Sequence, residues 1–167
     1  MVQGASIDFF GEANHSLDDK GRLTLPGHVR TQLARSSSPE LLWLGWMPGD
    51  ACVNLYPVET KDELDAEWAD PARFSSTAQH SAFLRLWKSR LETVSLDKAG
   101  RILIPASKRE LAGIKNDVVV SGKGPKLEIW EPEAFRARLA KDEELYLATL
   151  AAENAAGPDL ASRLPRC

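Results

Sequence analysis

A ten-residue stretch that occurs twice constrains this chain more than any other feature. The first copy, Leu17 to Pro26, has the sequence LDDKGRLTLP, and the second, Leu96 to Pro105, has the sequence LDKAGRILIP. The second copy begins 79 positions after the first, since 96 − 17 = 79. Both follow the pattern Leu-Asp-x-x-Gly-Arg-aliphatic-x-aliphatic-Pro. The repetition predicts two structural units built on the same plan.

Each position shared by the two copies has a physical role. The carboxylate of Asp18 can accept hydrogen bonds from backbone N–H groups a few residues later, and Gly21 can adopt the positive φ of a tight turn. Leu23 and Leu25 alternate as on one face of a short strand, and Pro26 ends the strand because it has no N–H. The second copy supplies the equivalent residues Asp97, Gly100, Ile102, Ile104 and Pro105. The pattern therefore predicts a turn, a short strand and a stop.

Arg22 and Arg101 stand where the turn becomes the strand. Side chains at loop ends on a rigid scaffold are well placed for binding. From the residues alone, two interpretations remain open for this pair of arginines. They form intramolecular ion pairs with Asp18 and Asp97, or they contact guanine or phosphate through a bidentate guanidinium. Both can hold together, because a carboxylate can position the guanidinium before DNA arrives.

The composition is that of a soluble globular protein. Among the 167 residues, 43% are hydrophobic and 27% are charged, and the formal net charge is −3. No apolar run approaches the roughly 20 residues that cross a bilayer, and the N-terminus has no secretory pattern, so we expect a cytoplasmic protein without a membrane partner. Cys52 and Cys167, like His15, His28 and His80, have no metal-binding spacing, and we expect no cofactor.

The hydrophobic pattern predicts the same order of elements in both halves. Strands are expected over 9–17 and 22–25, joined as a hairpin, then a short helix near Val29, then strands over 41–46 and 51–56. The second half repeats this order with strands over 92–96 and 101–104, a helix over 107–111, and strands over 117–121 and 126–130. Between the halves we expect helices over 60–68, with a capping box of Thr60 and Glu63, and over 76–90.

The arrangement closely resembles the MraZ family, bacterial transcriptional regulators built from two tandem swapped-hairpin barrels of the AbrB and SpoVT type. The segments that carry the resemblance are Phe9 to Pro26, Arg30 to Leu33, Leu55 to Pro57, Leu96 to Pro105 and Leu127 to Trp130. The resemblance implies an α+β, mainly β fold in which two half-domains form a pseudo-dimer. The units implied are 9–57 and 92–132, with a helical linker at 58–91, a C-terminal helix at 133–152 and a flexible tail at 153–167.

The resemblance also implies a function. Such proteins are ring-forming homo-oligomers, octamer-like in size, that bind direct repeats of double-stranded DNA in the promoter of the cell-division and cell-wall gene cluster. They are nucleoid-associated and need no small-molecule substrate. The family uses the arginine of Asp-x-x-Gly-Arg on DNA, which here falls on Arg22 and Arg101. Lys20 and Lys98 suit phosphate contacts better than base contacts, because an ammonium is a flexible point charge, and both equally fit plain exposed lysines of a turn. Arg30 and Arg109, on the short helices, are interpreted as braces of the barrel.

Two other functions agree with part of the sequence. Asp18 and Asp97 could form a carboxylate dyad like that of aspartic proteases, but the Asp-Thr/Ser-Gly signature is absent and an arginine follows each turn. An AbrB-like antitoxin with a toxin-wrapping C-terminal helix is the other alternative, although such antitoxins usually carry one barrel copy. We therefore expect a DNA-binding protein that is not an enzyme.

Overall fold

The computed structural model describes residues 7–156. These residues belong to two compact units, which are divided after Pro132. The strands are β1 (Glu12–Ser16), β2 (Arg22–Thr24), β3 (Leu41–Gly45), β4 (Cys52–Pro57), β5 (Glu92–Ser95), β6 (Arg101–Leu103), β7 (Asp117–Lys123) and β8 (Lys126–Trp130). The α-helices are α1 (Gly27–Leu33), α2 (Val58–Trp68), α3 (Thr77–Arg90), α4 (Ala106–Leu111) and α5 (Pro132–Ala156), with a 3-10 turn at Pro71–Arg73. The α+β class and the β-β-α-β-β order of the first half are confirmed.

Six strands form one antiparallel sheet in the order β1-β7-β8-β4-β3-β5, and β2 and β6 form a separate two-stranded ribbon. The prediction that the first two strands make a hairpin is therefore wrong. β1 pairs with β7, and β2 pairs with β6. The reason is that the Asp18–Arg22 turn carries the chain out of the large sheet, while Leu17 still donates its N–H to Asn116 in the other half at 2.8 Å. The predicted β3–β4 and β7–β8 pairs are confirmed.

The pairing register is symmetric with respect to the repeat. Leu23 lies opposite Ile102, its own counterpart 79 positions later, at the centre of the ribbon. In the large sheet, Asn54 of β4 lies opposite Glu128 of β8 at the junction of the two halves. Strands of the first half thus pair with strands of the second on both sides of the junction.

The main core is built from both halves. Leu23, Leu25, Ile102 and Ile104 are 0–1% exposed, as the alternating pattern predicts. They join buried residues of the large sheet, among them Leu42, Leu44, Val53, Leu55, Val118, Val120, Leu127 and Ile129. The repeated turns therefore stand on strands whose inner side chains are fixed in the core.

The linker consists of the two helices that the sequence predicts. Ser76 caps α3, because its Oγ accepts the N–H of Gln79 at 3.1 Å. The predicted capping box at the start of α2 is wrong. That helix begins earlier, at Val58 after Pro57, and Thr60 instead donates its hydroxyl to the carbonyl of Pro125 at 2.8 Å.

The second unit is described only by α5, which continues beyond the predicted end at residue 152. An Arg138–Asp142 ion pair, with Nε and Oδ1 2.9 Å apart, joins successive turns of this helix. Of the expected tail, residues 153–156 belong to α5 and 157–167 lie outside the described residues. None of the described helices has the length and apolar character needed to cross a bilayer.

Candidate nucleic-acid interface

The first repeated turn is closed by one carboxylate. Asp18 accepts the backbone N–H groups of Lys20 and Arg22 on Oδ1, both at 2.9 Å, and the Nε–H of Arg22 on Oδ2 at 2.7 Å. The backbone adds two further bonds, from Asp18 N–H to the Arg22 carbonyl and from Gly21 N–H to the Asp18 carbonyl. The ionised group both shapes the turn and holds the arginine that ends it.

The second turn repeats this arrangement. Asp97 accepts the N–H groups of Ala99 and Arg101 on Oδ1, both at 2.9 Å. Its Oδ2 lies 2.8 Å from both Nε and Nη2 of Arg101. The intramolecular ion pair considered for both arginines is therefore present in each turn. The arginine side chains stay 31% and 34% exposed, which leaves each guanidinium accessible to a partner.

Both aspartates are held in the ionised form. The backbone N–H of Arg22 lowers the pKa of Asp18 below its ordinary value of 3.8, and the Arg22 side chain acts in the same direction. For Asp97, the side-chain bond from Arg101 is the main cause of a lowered pKa, followed by the Arg101 backbone N–H. The same pair raises the pKa of Arg101. At neutral pH both ion pairs are fully charged.

Each turn is also contacted by an arginine of the opposite repeat. Gly21 has φ +78°, and a Cβ built there would lie 3.1 Å from Cζ of Arg109. Gly100 has φ +76°, and a Cβ there would lie 2.6 Å from Cδ of Arg30. Glycine is needed at both positions for the backbone angle and for this close approach. The interpretation of Arg30 and Arg109 as braces is consistent with this packing, but each braces the turn of the other half.

Comparisons with known proteins point to one family. A family model described as "MraZ protein, putative antitoxin-like" matches residues 91–156. Proteins named "Transcriptional regulator MraZ" match over more of the chain. The one from Heliobacterium modesticaldum is 35% identical over 127 residues, which are 76% of this chain and 83% of that protein. This chain belongs to the MraZ family.

Two further MraZ relatives extend the match. The protein from Thermomicrobium roseum is 35% identical over 156 residues, covering 93% of this chain and 96% of its own length. The protein from Anaeromyxobacter sp. (strain Fw109-5) is 31% identical over 134 residues, covering 80% of this chain and 90% of its own. Both alignments are too long to rest on one copy of the repeat alone.

In this MraZ chain the two predicted lysines lie at the surface of the turns. Lys20 and Lys98 are exposed, but they occupy different positions, because Lys98 aligns with Asp19 and Lys20 aligns with Ala99. The first turn thus carries two carboxylates and two cations, whereas the second carries one carboxylate and two cations. The net charge of the second turn is therefore more positive by one, because it has one carboxylate fewer.

The geometry does not favour an acid–base dyad in this MraZ chain. In such a dyad two carboxyls share a proton, and one pKa is raised by the other charge. Here Asp18 and Asp97 each bind the N–H groups and arginine of their own turn, and both pKa values are lowered. Within residues 7–156, His, Cys, Asp and Glu form no group that could hold a metal ion.

The outer face of the ribbon holds a residue that sequence reasoning missed. β2 and β6 place Arg22, Thr24, Arg101 and Leu103 on this face, since Leu23 and Ile102 point into the core. Leu103 is 51% exposed although Ile102 and Ile104, on either side of it in the sequence, are buried. The signal was present in the pattern, because this position is the variable one between two core aliphatics.

Proposed function

We propose that this MraZ-family chain is a sequence-specific DNA-binding transcriptional regulator. It forms a ring homo-oligomer that binds direct repeats in a promoter of cell-division and cell-wall genes. The protein is cytoplasmic and associates with the nucleoid. The observation that carries the proposal is the matched pair of exposed arginines, each fixed by an aspartate four residues earlier. A regulatory role also agrees with the names of the relatives.

The guanidinium groups of Arg22 and Arg101 have the right donors to bind DNA. A guanidinium presents a planar fork of donors that matches guanine O6 and N7, or a phosphate. Asp18 binds Nε of Arg22, and Asp97 binds Nε and Nη2 of Arg101, so the remaining N–H donors of each guanidinium can face a partner. In this proposal Arg22 and Arg101 contact bases, and Lys20 and Lys98 contact phosphates.

An acidic chain needs several linked units to hold DNA. Its net charge is −3, so bulk attraction to phosphate is weak, and one unit neutralises few phosphates. Linking units in an oligomer raises the effective affinity without any new contact. A ring also suits direct repeats, because its subunits are related head to tail rather than by a two-fold axis.

The test is selection of bound sequences from random DNA by the purified protein, with its mass in solution measured alongside. The duplex that emerges is then titrated with Arg22→Ala/Arg101→Ala in a mobility-shift assay. We expect specific retardation to disappear while the mass is unchanged, because both arginines lie outside the core.

A matched control removes two exposed arginines elsewhere, as Arg35→Ala/Arg85→Ala, and should keep specific retardation. A charge-preserving variant, Arg22→Lys/Arg101→Lys, should keep salt-sensitive binding to any DNA but lose sequence preference, since lysine has no fork. Specific binding by the double alanine variant would contradict the proposal.

An antitoxin role is the second candidate, favoured by the antitoxin-like description of the family model. It would require a toxin bound in fixed proportion, which affinity purification from the native organism would reveal. A stoichiometric partner, released only when the protein unfolds, would support this role.

A further inference from the structure

The two strands of the ribbon carry equivalent arginines, but the residues opposite these arginines differ. Arg22 lies directly opposite Leu103, and Arg101 lies directly opposite Thr24. The repeat makes positions 24 and 103 equivalent, since they are 79 residues apart. Residues opposite each other in an antiparallel pair project from the same face, with Cβ atoms about 4.5–5.5 Å apart. One arginine therefore has an aliphatic neighbour and the other a hydroxyl neighbour.

Leu103 is not needed to fill the core. Its side chain is 51% exposed, whereas Ile102, the next residue in the strand, is 1% exposed. At the equivalent position Thr24 is also exposed, so a polar residue is compatible with this ribbon. An apolar side chain here contributes little to folding and is available for contact with a partner.

A partner of this narrow face must bind two arginine side chains and one apolar side chain. A two-stranded β-ribbon fits the major groove of B-DNA, where arginine reads guanine and an apolar side chain packs on the 5-methyl group of thymine. The exposed arginines beside Leu103 and Thr24 favour an anionic partner, and the fit of a two-stranded ribbon to the major groove favours DNA.

We propose that Leu103 determines specificity by packing on the methyl group of a thymine beside the base contacted by Arg22. Thr24 makes a polar or smaller apolar contact beside the base contacted by Arg101. The two halves of the ribbon then prefer different bases, which gives the bound site a direction. This inference rests on the proposed DNA-binding function and adds to it the residue that selects thymine.

The test removes one methyl group at a time from the DNA. In the duplex obtained by selection, each thymine is replaced by deoxyuridine, which lacks the 5-methyl group, and affinities are measured by fluorescence anisotropy. At one thymine per site the wild-type protein should bind about fourfold more weakly, the change expected for one buried methyl group. Leu103→Ser should bind both duplexes equally.

Two variants serve as controls. Leu111→Ser removes another exposed leucine, 43% exposed on α4 and outside the ribbon, and should keep the fourfold ratio. Thr24→Leu should create a second sensitive thymine, beside the base contacted by Arg101. Each ratio compares two duplexes with the same variant, so a general loss of affinity or of folded protein cancels.

The outcomes separate the two proposals. If the wild-type protein enriches no sequence at all, the DNA-binding function fails and this inference fails with it. If a sequence is enriched but no thymine is sensitive, or Leu103→Ser keeps the ratio, only the role of Leu103 is overturned. A change in solution mass on Leu103→Ser, with the ratio unchanged, would instead assign Leu103 to an interface between copies.

Discussion

An arginine reads DNA poorly while its side chain rotates freely, because fixing it costs about 2 kcal/mol of rotamer entropy. In this protein Asp18 and Asp97 fix the guanidinium groups of Arg22 and Arg101 in advance. The same carboxylates also bind the N–H groups that shape the turn. Loss of either aspartate would thus disturb both the loop and the side chain that it presents.

The contacts of the glycines predict different losses of stability when each is replaced by alanine. In Gly100→Ala, an alanine must adopt a positive φ and its Cβ clashes with Cδ of Arg30. In Gly113→Ala, the alanine must also adopt a positive φ, +66°, but no atom lies within 4 Å of its Cβ. We expect Gly113→Ala to lower the free energy of unfolding by about 1–2 kcal/mol through the backbone angle alone. Gly100→Ala should lower it by about 1 kcal/mol more, because Arg30 must move.

Urea unfolding of the two variants, followed by circular dichroism, measures the difference. Gly21→Ala should fall between them, since its Cβ would lie 3.1 Å from the end of the Arg109 side chain. If Gly100→Ala and Gly113→Ala lower the free energy of unfolding equally, the Arg30 side chain moves aside without an energetic cost.

The sequence predicts the turn residues but not these crossing contacts. Asp-x-x-Gly-Arg is a local pattern, and its hydrogen bonds span four residues. The approach of Arg30 to Gly100 depends on how two distant segments pair, which local preferences do not encode. For this reason Arg30 and Arg109 could be predicted as structural but not assigned to the opposite turn.

Among the elements, α2 and α3 share a carboxylate that contacts both helices. Asp65 on α2 lies 2.8 Å from the Lys61 ammonium and 2.6 Å from that of Lys88 on α3. It also accepts the indole N–H of Trp87, a buried residue, at 2.8 Å. Burial raises the pKa of Asp65, but the bonds from Lys61, Lys88 and Trp87 outweigh it and lower the pKa to about 2.

The lowered pKa of Asp65 predicts a pH-dependent contribution to stability. The carboxylate stabilises the fold above its ordinary pKa of 3.8, and this contribution is lost as the pH falls towards about 2. Asp65→Asn should therefore lower the free energy of unfolding by about 2 kcal/mol at pH 7. The difference from the wild-type protein should shrink as the pH falls through 3.8 and vanish below about pH 2.

Urea titrations at several pH values measure this difference. Asp62→Asn is the control, because Asp62 also contacts Lys61 but its side chain is 65% exposed. An exposed pair of this kind contributes about 0–1 kcal/mol. A loss in Asp65→Asn that does not change with pH would point to packing rather than charge.

Element types were easier to predict than element partners. Alternating apolar residues indicate strands such as β6, and Ser76 marks the start of α3. The partner of β1 could not be predicted, because a strand after which the chain turns sharply usually pairs with the next strand. Here the turn directs β2 away, and β1 pairs with a strand in the other half.

For the whole molecule, this pairing predicts that neither half of the chain folds alone. A cut between Phe74 and Ser75 separates β1–β4 from β5–β8. Four strand pairs cross that cut, namely β1–β7, β2–β6, β3–β5 and β4–β8. Fragments 1–74 and 75–167 should each lack cooperative thermal unfolding, and an equimolar mixture should regain it.

Differential scanning calorimetry of the fragments and their mixture provides the measurement. Fragment 1–132 is the control, since it keeps all eight strands and should unfold cooperatively. Cooperative unfolding of either half as a monomer would show that pairing across the halves is dispensable.

The separation of β1 and β7 along the sequence also delays their pairing during synthesis. Glu12 pairs with Ser121, so roughly a hundred residues must be added before the first strand meets its partner. At about 5–20 residues per second, the ribosome needs about 5–20 s for this stretch. During that interval the apolar strands of the first half have no core to enter. Chaperone occupancy of the nascent chain should therefore persist until β7 and β8 emerge from the exit tunnel.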